Sequence, residues 1–126
     1  MLIEMLKNNL NNGKKENSKI YFCGNDSVFK IGQTKQRYIS DRMKVIRQTD
    51  ANIECYVYVE FEGTKAVRDL VESTLRLYLE NNGYKLQGND HFKKKGTVQK
   101  FKKLMLEIVT TTLNELEIDY KVINKG

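Results

Sequence analysis

The chain has 126 residues, with no proline, no tryptophan, a single histidine and two cysteines. Two thiols and one imidazole cannot complete a four-ligand zinc site without carboxylates. No apolar run approaches the about 20 residues that span a bilayer, so no membrane segment is expected. The opening MLIEMLKNNLNNGKK carries Glu4 within its apolar part and lacks a small-residue cleavage pattern, which makes it a poor secretory signal. Cys23 and Cys55 both fall in strand-like runs. They read as two buried thiols of an intracellular protein in a reducing compartment, with a disulfide as the alternative. There is no internal repeat, no linker and no break in composition. The expectation is therefore one domain over residues 1–126.

What is abundant is positive charge. The chain carries 22 basic residues against 16 acidic ones, a net +6. Such a surplus on a small domain favours a polyanionic partner. The surplus is local: between residues 85 and 103, Lys85, Lys93, Lys94, Lys95, Lys100, Lys102 and Lys103 face only Asp90. Charge runs are often merely solvated faces, but this one also suits non-specific contact with phosphates. No zinc finger, helix-turn-helix or tandem module that would read a base sequence is evident.

Periodicity assigns the elements. Leu2, Met5, Leu6 and Leu10 mark a short amphipathic helix over 2–10. Residues 19–23 (KIYFC) and 28–31 (VFKI) form a hairpin turned by Gly24-Asn25-Asp26-Ser27. Residues 37–48 read as a helix with Ile39, Met43 and Ile46 on one side and Arg42 at its flank. Residues 53–61 form a strand, and Thr64 is the N-cap of a helix over 65–81 closed by Asn82-Gly83. That helix turns Val67, Leu70, Val71, Leu75, Tyr78 and Leu79 inward. A loop spans 84–92, a last helix runs over about 97–116, and EIDYKVI makes a short extra strand. The order predicts an α+β fold with a small, mainly antiparallel three-stranded sheet of hairpin, helix and third strand, flanked by helices, with additional N- and C-terminal helices.

Hydrolysis of a phosphodiester requires a group that activates water, a cation for the charge developing on the phosphate, and something to stabilise the departing oxygen. The chain offers Tyr21 and Lys30 on the hairpin, Arg42 on the first following helix and Glu72 on the next. Each has a plain alternative. Tyr21 fits a half-buried strand aromatic, Arg42 a solvated helix residue, and Glu72 an i±4 ion-pair partner of Arg68 and Arg76. His91 fits an incidental loop histidine.

KIYF, then FKIG, then an arginine on a helix and a glutamate on a later helix resembles the GIY-YIG nuclease superfamily. The resemblance is to the phage-type branch in which lysine replaces the second tyrosine. It covers about residues 18–92, leaving an N-terminal helix and connector (1–17) and a basic segment with a C-terminal helix (93–126) outside the core. It implies Tyr21, Lys30, Arg42, Glu72 and His91 as catalytic residues, with Glu72 holding Mg2+ or Mn2+. Gln33, Thr34, Arg37, Arg68, Arg76, Asn89, Lys93, Lys94 and Lys95 become substrate contacts. Arg37 competes with Arg42 for the helix-arginine role, and Gly88 to Phe92 resemble the closing motif, with Asn89, Asp90 and His91 sharing its polar position. The glycine that often leads the first motif is absent. As a base, Tyr21 would need its pKa lowered by a nearby cation such as Lys30; the alternative base is a desolvated Lys30 itself. All four principal side chains are expected on one face of the sheet.

The implied function is a magnesium-dependent DNA endonuclease, nicking or double-strand cleaving, acting as a monomer or homodimer. The alternative is an inactive DNA- or RNA-binding or regulatory module on the same fold. Taken with the resemblance to a stand-alone nuclease domain, small size, high Asn and Lys usage and absent proline suggest by analogy a phage or mobile element, with a homing, restriction-like or interference role in the cytoplasm of a bacterial host.

Overall fold

Along β1 (Glu16–Gly24), Ile20 and Phe22 project to one side and Lys19, Tyr21 and Cys23 to the other, because successive strand side chains alternate. All five are buried, so the strand must be covered on both faces. The computed structural model, which describes residues 2–88 and 90–125, supplies both covers. The chain runs α1 (Leu2–Leu10), β1, β2 (Val28–Thr34), α2 (Ile39–Arg47), β3 (Glu54–Gly63), α3 (Lys65–Asn81), β4 (Leu86–Gln87), β5 (His91–Lys93), α4 (Val98–Glu115) and β6 (Tyr120–Asn124).

The strands form one sheet in the order β4-β5-β2-β1-β3-β6, with every neighbouring pair antiparallel. The α+β class agrees with the sequence reading, but the sheet has six strands rather than three. The tail strand was expected. β4 falls inside the segment 84–92 read as a loop and β5 begins there and ends one residue beyond it, and at two and three residues they are too short to show a period.

One face of the sheet packs Ile20, Phe22, Phe29, Ile31, Val57 and Val59 against α3 and α4. Phe101 of α4 sits at the centre of an aromatic cluster, with ring centroids 4.3 Å from Phe22, 4.8 Å from Phe29 and 4.9 Å from Tyr84. The other face packs Tyr21 and Cys23 against Ile39, Met43 and Ile46 of α2, with Ile53. Thr64 caps α3 by accepting a hydrogen bond from the Val67 amide at 3.2 Å, as its position predicts. Gly83 (φ 90°) ends the helix in a conformation that glycine adopts freely.

Two features depart from the periodic reading. Leu70 is on the exposed side of α3 and Tyr78 reaches out to Glu107, because the face of α3 that meets the sheet is narrower than the apolar stripe. On α1, Leu2, Met5 and Leu6 are exposed, while Leu10 packs against the core. No described helix is long and apolar enough to cross a membrane.

Candidate active site

Antiparallel register decides which side chains meet. Tyr21 is opposite Gly32, and Cys23 is opposite Lys30, so Tyr21 and Lys30 share the α2 face of the sheet. Gly32 is glycine for a steric reason: a Cβ there would fall 2.2 Å from the Tyr21 hydroxyl oxygen and 2.4 Å from Cζ. The phenol ring lies directly across the glycine. Arg42 comes down from α2 and donates from Nε to the Tyr21 hydroxyl at 3.2 Å, with its guanidinium carbon 5.9 Å from the ring centroid. Among the described residues, the two terminal nitrogens of Arg42 make no hydrogen bond or ion pair.

Lys30 is nearly buried, and its ammonium pairs with Asp90 at 2.9 Å and approaches His91 Nε2 at 3.5 Å. His91 stands between two carboxylates, Asp90 at 2.8 Å from Nδ1 and Asp50 at 3.2 Å from Nε2. Burial raises the Asp90 carboxyl, but the hydrogen bond and charge of Lys30, together with His91, outweigh it and leave the pKa below the usual value. Tyr21 moves the other way. Burial pushes its pKa up to about 12 despite the opposing hydrogen bond and charge of Arg42. The expected lowering by Lys30 does not occur, because Lys30 spends its charge on Asp90 while the phenol loses hydration. At neutral pH Tyr21 is a hydrogen-bond donor and not a base.

Glu72 does not join this group. It lies on α3, on the opposite face of the sheet, where Gln33 Nε2 donates at 2.9 Å both to Glu72 Oε2 and to Asp69 Oδ1. The expectation that four principal side chains share one face is therefore corrected: Tyr21, Lys30 and Arg42 share one, and Glu72 is on the other. The two groups approach each other only at the edge of β2, where Gly32 and Gln33 are consecutive. β5 pairs with β2 from Val28 to Lys30 and bonds once more at Ile31; beyond that, among the described residues, no strand covers this edge.

The remaining residues divide sharply. Arg68 is buried and donates to Ser18 Oγ (3.1 Å), the Gly63 carbonyl (3.3 Å) and Glu16 (3.3 Å). It ties α3 to β1 and β3 and is not placed to meet a substrate, nor does it pair with Glu72. Thr34 is also turned inward, accepting from the Gln36 amide at 3.1 Å to end β2. Arg76 is half-buried, and its Nε has no partner among the described residues. Arg37 is exposed over the Tyr38 ring at 5.4 Å, and Lys93 is exposed on β5. Lys94 and Lys95 lie over the rings of Phe29 and Tyr84 and donate to the Asn25 and Gly83 carbonyls. Asn89 lies outside the described residues.

Sequence reasoning passed over Asp50, Asp69 and Lys19. Asp69 stands three residues before Glu72 on the same helix, a spacing that places both on one face. Asp50 lies in the turn after α2, with no local signal linking it to His91. Lys19 is 1 % exposed, with its ammonium bonded to Asn17, the Gln36 carbonyl (2.7 Å) and Glu60 (3.2 Å). A buried ammonium needs such a full set of acceptors.

A cavity of about 460 Å3 opens at the β1–β2 turn, lined by Asn25, Asp26, Ser27, Asn52, Glu54 and Tyr56 among others. None of Tyr21, Lys30, Arg42 or Glu72 lines it; these residues lie instead on either side of β2. No group of three or more His, Cys, Asp or Glu able to hold a metal is present among the described residues. Glu72 and Asp69, both oxygen donors held by one amide, still match a cation such as magnesium, which takes one or two carboxylates and keeps waters or phosphate oxygens elsewhere. No family model matches the chain, and no curated protein or solved structure matches it.

Proposed function

We propose that the chain is a divalent-metal-dependent DNA endonuclease whose site follows the open edge of β2. The observation that carries this reading is Arg42, held by its Nε against the Tyr21 hydroxyl while, among the described residues, its terminal nitrogens have no partner, on the sheet face that also carries a second cation, Lys30. That fork suits two oxygens of a phosphate. Because Arg42 donates to the phenol oxygen, the phenol proton is free to be given to a phosphate oxygen or to orient the attacking water. Tyr21 thus positions and stabilises without ionising. Lys30, shared with Asp90, adds positive charge that offsets the negative charge developing on the phosphate oxygens. Magnesium or manganese on Glu72, with Asp69 beside it, would supply Lewis-acid stabilisation of the departing oxygen. Gln33 holds both carboxylates in place at that edge. A single site cuts one strand, so a monomer nicks, and a double-strand break requires two copies or two successive events.

The test is supercoiled plasmid with magnesium or with chelator. Metal-dependent relaxation that is lost in both Arg42→Ala and Glu72→Ala is expected. Relaxation undiminished in Glu72→Ala removes that residue from the site. A second reading, nucleic-acid binding without turnover, is favoured by one observation: Glu72 lies across the sheet from Tyr21 and Lys30. It predicts salt-sensitive binding that persists in chelator and in Glu72→Ala, with no cut product.

A further inference from the structure

Cys23 and Cys55 form a directly facing pair on adjacent antiparallel strands, β1 and β3, at the irregularity in register after Phe22. Both point to the α2 face: Cys23 is buried in the cluster with Tyr21, Met43 and Ile53, and Cys55 packs against the same cluster. Facing residues of an antiparallel pair have Cα atoms about 4.5–5.5 Å apart, inside the span of about 4.4–6.8 Å that a disulfide tolerates. The chain's two cysteines, 32 positions apart in sequence, are thus preset for bonding without strand separation. Both are free thiols in the structure.

Access is one-sided. Cys23 is fully buried, whereas Cys55 is half-buried and lines a cavity of about 400 Å3 together with Ser40, Met43, Arg47 and Lys125. The Cys55 thiol donates weakly to the Val57 carbonyl at 3.9 Å. Arg47 and Lys125 place positive charge near its sulfur and Glu54 lines the same cavity; the two cations oppose, without overcoming, the rise that burial imposes on the thiol.

We infer that Cys55 and Cys23 are an oxidation site in which a hydroperoxide entering the Cys55 cavity converts the pair to an intrachain disulfide. The Cys55 thiolate attacks the peroxide: an S–O bond forms, the O–O bond breaks, and an alcohol or water leaves. Sulfur of Cys23 then attacks the Cys55 sulfenic acid. The S–S bond forms, the S–O bond breaks, and the hydroxide leaves as water with the Cys23 proton. Two thiols are oxidised and one hydroperoxide is reduced. A small-molecule dithiol reverses the bond by exchange. The bond fastens β1 to β3 two residues from Tyr21, and it depends on no assumption about nucleic acid.

Burial holds the Cys55 thiol up at about 11, with Lys125 and Arg47 opposing the rise, so oxidation is slow at neutral pH and quickens up to about tenfold for each unit that the pH rises toward that value. The experiment treats the folded full chain with hydrogen peroxide, quenches with an alkylating agent, and maps the peptides by mass. The expected result is a loss of about 2 Da, a linked Cys23–Cys55 peptide pair, no change in solution size, and reversal by dithiothreitol. Cys55→Ser abolishes the loss and leaves Cys23 unalkylated unless the chain is denatured. Circular dichroism confirms that this variant is folded, and wild-type mapping decides the question even if it is not. Cys55 sulfinate with Cys23 still reduced, a linkage between chains, or two intact thiols would each overturn the inference.

Discussion

Replacing Gly32 with alanine tests the packing on which the candidate site depends. The backbone at Gly32 is not in the left-handed region, so alanine costs nothing in φ, and an added methyl in a strand by itself gains about 0.5–1 kcal/mol over glycine. The cost is steric. The new Cβ would meet Tyr21 at Oη (2.2 Å), Cζ (2.4 Å) and Cε1 (3.0 Å), and the ring, fully buried and bonded to Arg42, has little room to retreat. Overpacking of this kind costs about 1–3 kcal/mol, and with the ring fixed on both sides the upper part of that range, about 2–3 kcal/mol, is expected. Tyr21→Leu deletes all three clashing atoms while keeping an apolar side chain in the α2 layer. In that background Gly32→Ala should be neutral or stabilising by a few tenths of a kcal/mol, giving a coupling of about 2–3 kcal/mol between the two positions. Urea unfolding of the four proteins, followed by circular dichroism, measures it. Additivity within about 0.5 kcal/mol would refute the close approach of the phenol to Gly32, and with it the placement of the Tyr21 hydroxyl under Arg42.

Three further outcomes are expected. Arg68→Met should cost about 3–5 kcal/mol in urea unfolding, because it strands Ser18, the Gly63 carbonyl and Glu16 around a lost buried cation; a stable variant with weakened DNA binding would restore Arg68 to the substrate surface. Lys30→Met should lose about 1–3 kcal/mol, between the values for exposed and buried pairs. The Asp90 pKa is depressed in the folded state, so its stabilisation is present above the unfolded value of about 3.9 and is lost as pH falls through the folded pKa. The gap between wild type and Lys30→Met should therefore close below about pH 4, and a gap that stays constant into acid would contradict the ion pair. Lys93→Gln, at an exposed position on β5, should flatten the slope of log affinity against log salt by about 0.7–0.9 if the lysine meets a phosphate; an unchanged slope removes it from the contact surface.

The residues that were legible in the sequence are those whose role is set locally. The hairpin followed from alternation around Gly24–Ser27, α3 from its apolar period and the Thr64 cap, and the positioning of Tyr21 and Lys30 on one face from strand geometry. What escaped was set by tertiary partners. Arg68 sits on α3 four residues from Glu72, which reads as a surface ion pair, yet its partners come from β1 and the end of β3. The rise in the Tyr21 pKa depends on the cover that α2 lays over it, and no strand motif encodes that. Glu72 could be placed on a helix, but which side of the sheet the helix would pack against was fixed by Val67, Val71, Leu75 and Leu79 meeting Ile20 and Ile31. Asp50 and His91 are 41 positions apart and meet only because the α2–β3 turn and β5 end on the same side.

The position of Phe101 has a consequence for the order in which the chain can fold. The hairpin pairs residues close in sequence, so β1 and β2 can close their loop at small entropic cost, and β3 can add as soon as it is made. The aromatic face those strands create, with Phe22 and Phe29, is completed only by Phe101, and β6 then seals the far edge by pairing Phe61 with Tyr120. During synthesis from the N-terminus, the three central strands thus wait for Phe101 through about forty residues after Gly63, with α3 made in the meantime as partial cover of their aromatic face. Exposed aromatic surface of this kind favours aggregation, so slowing translation between β3 and α4 is expected to lower the yield of folded protein, and an unchanged soluble yield would contradict this order.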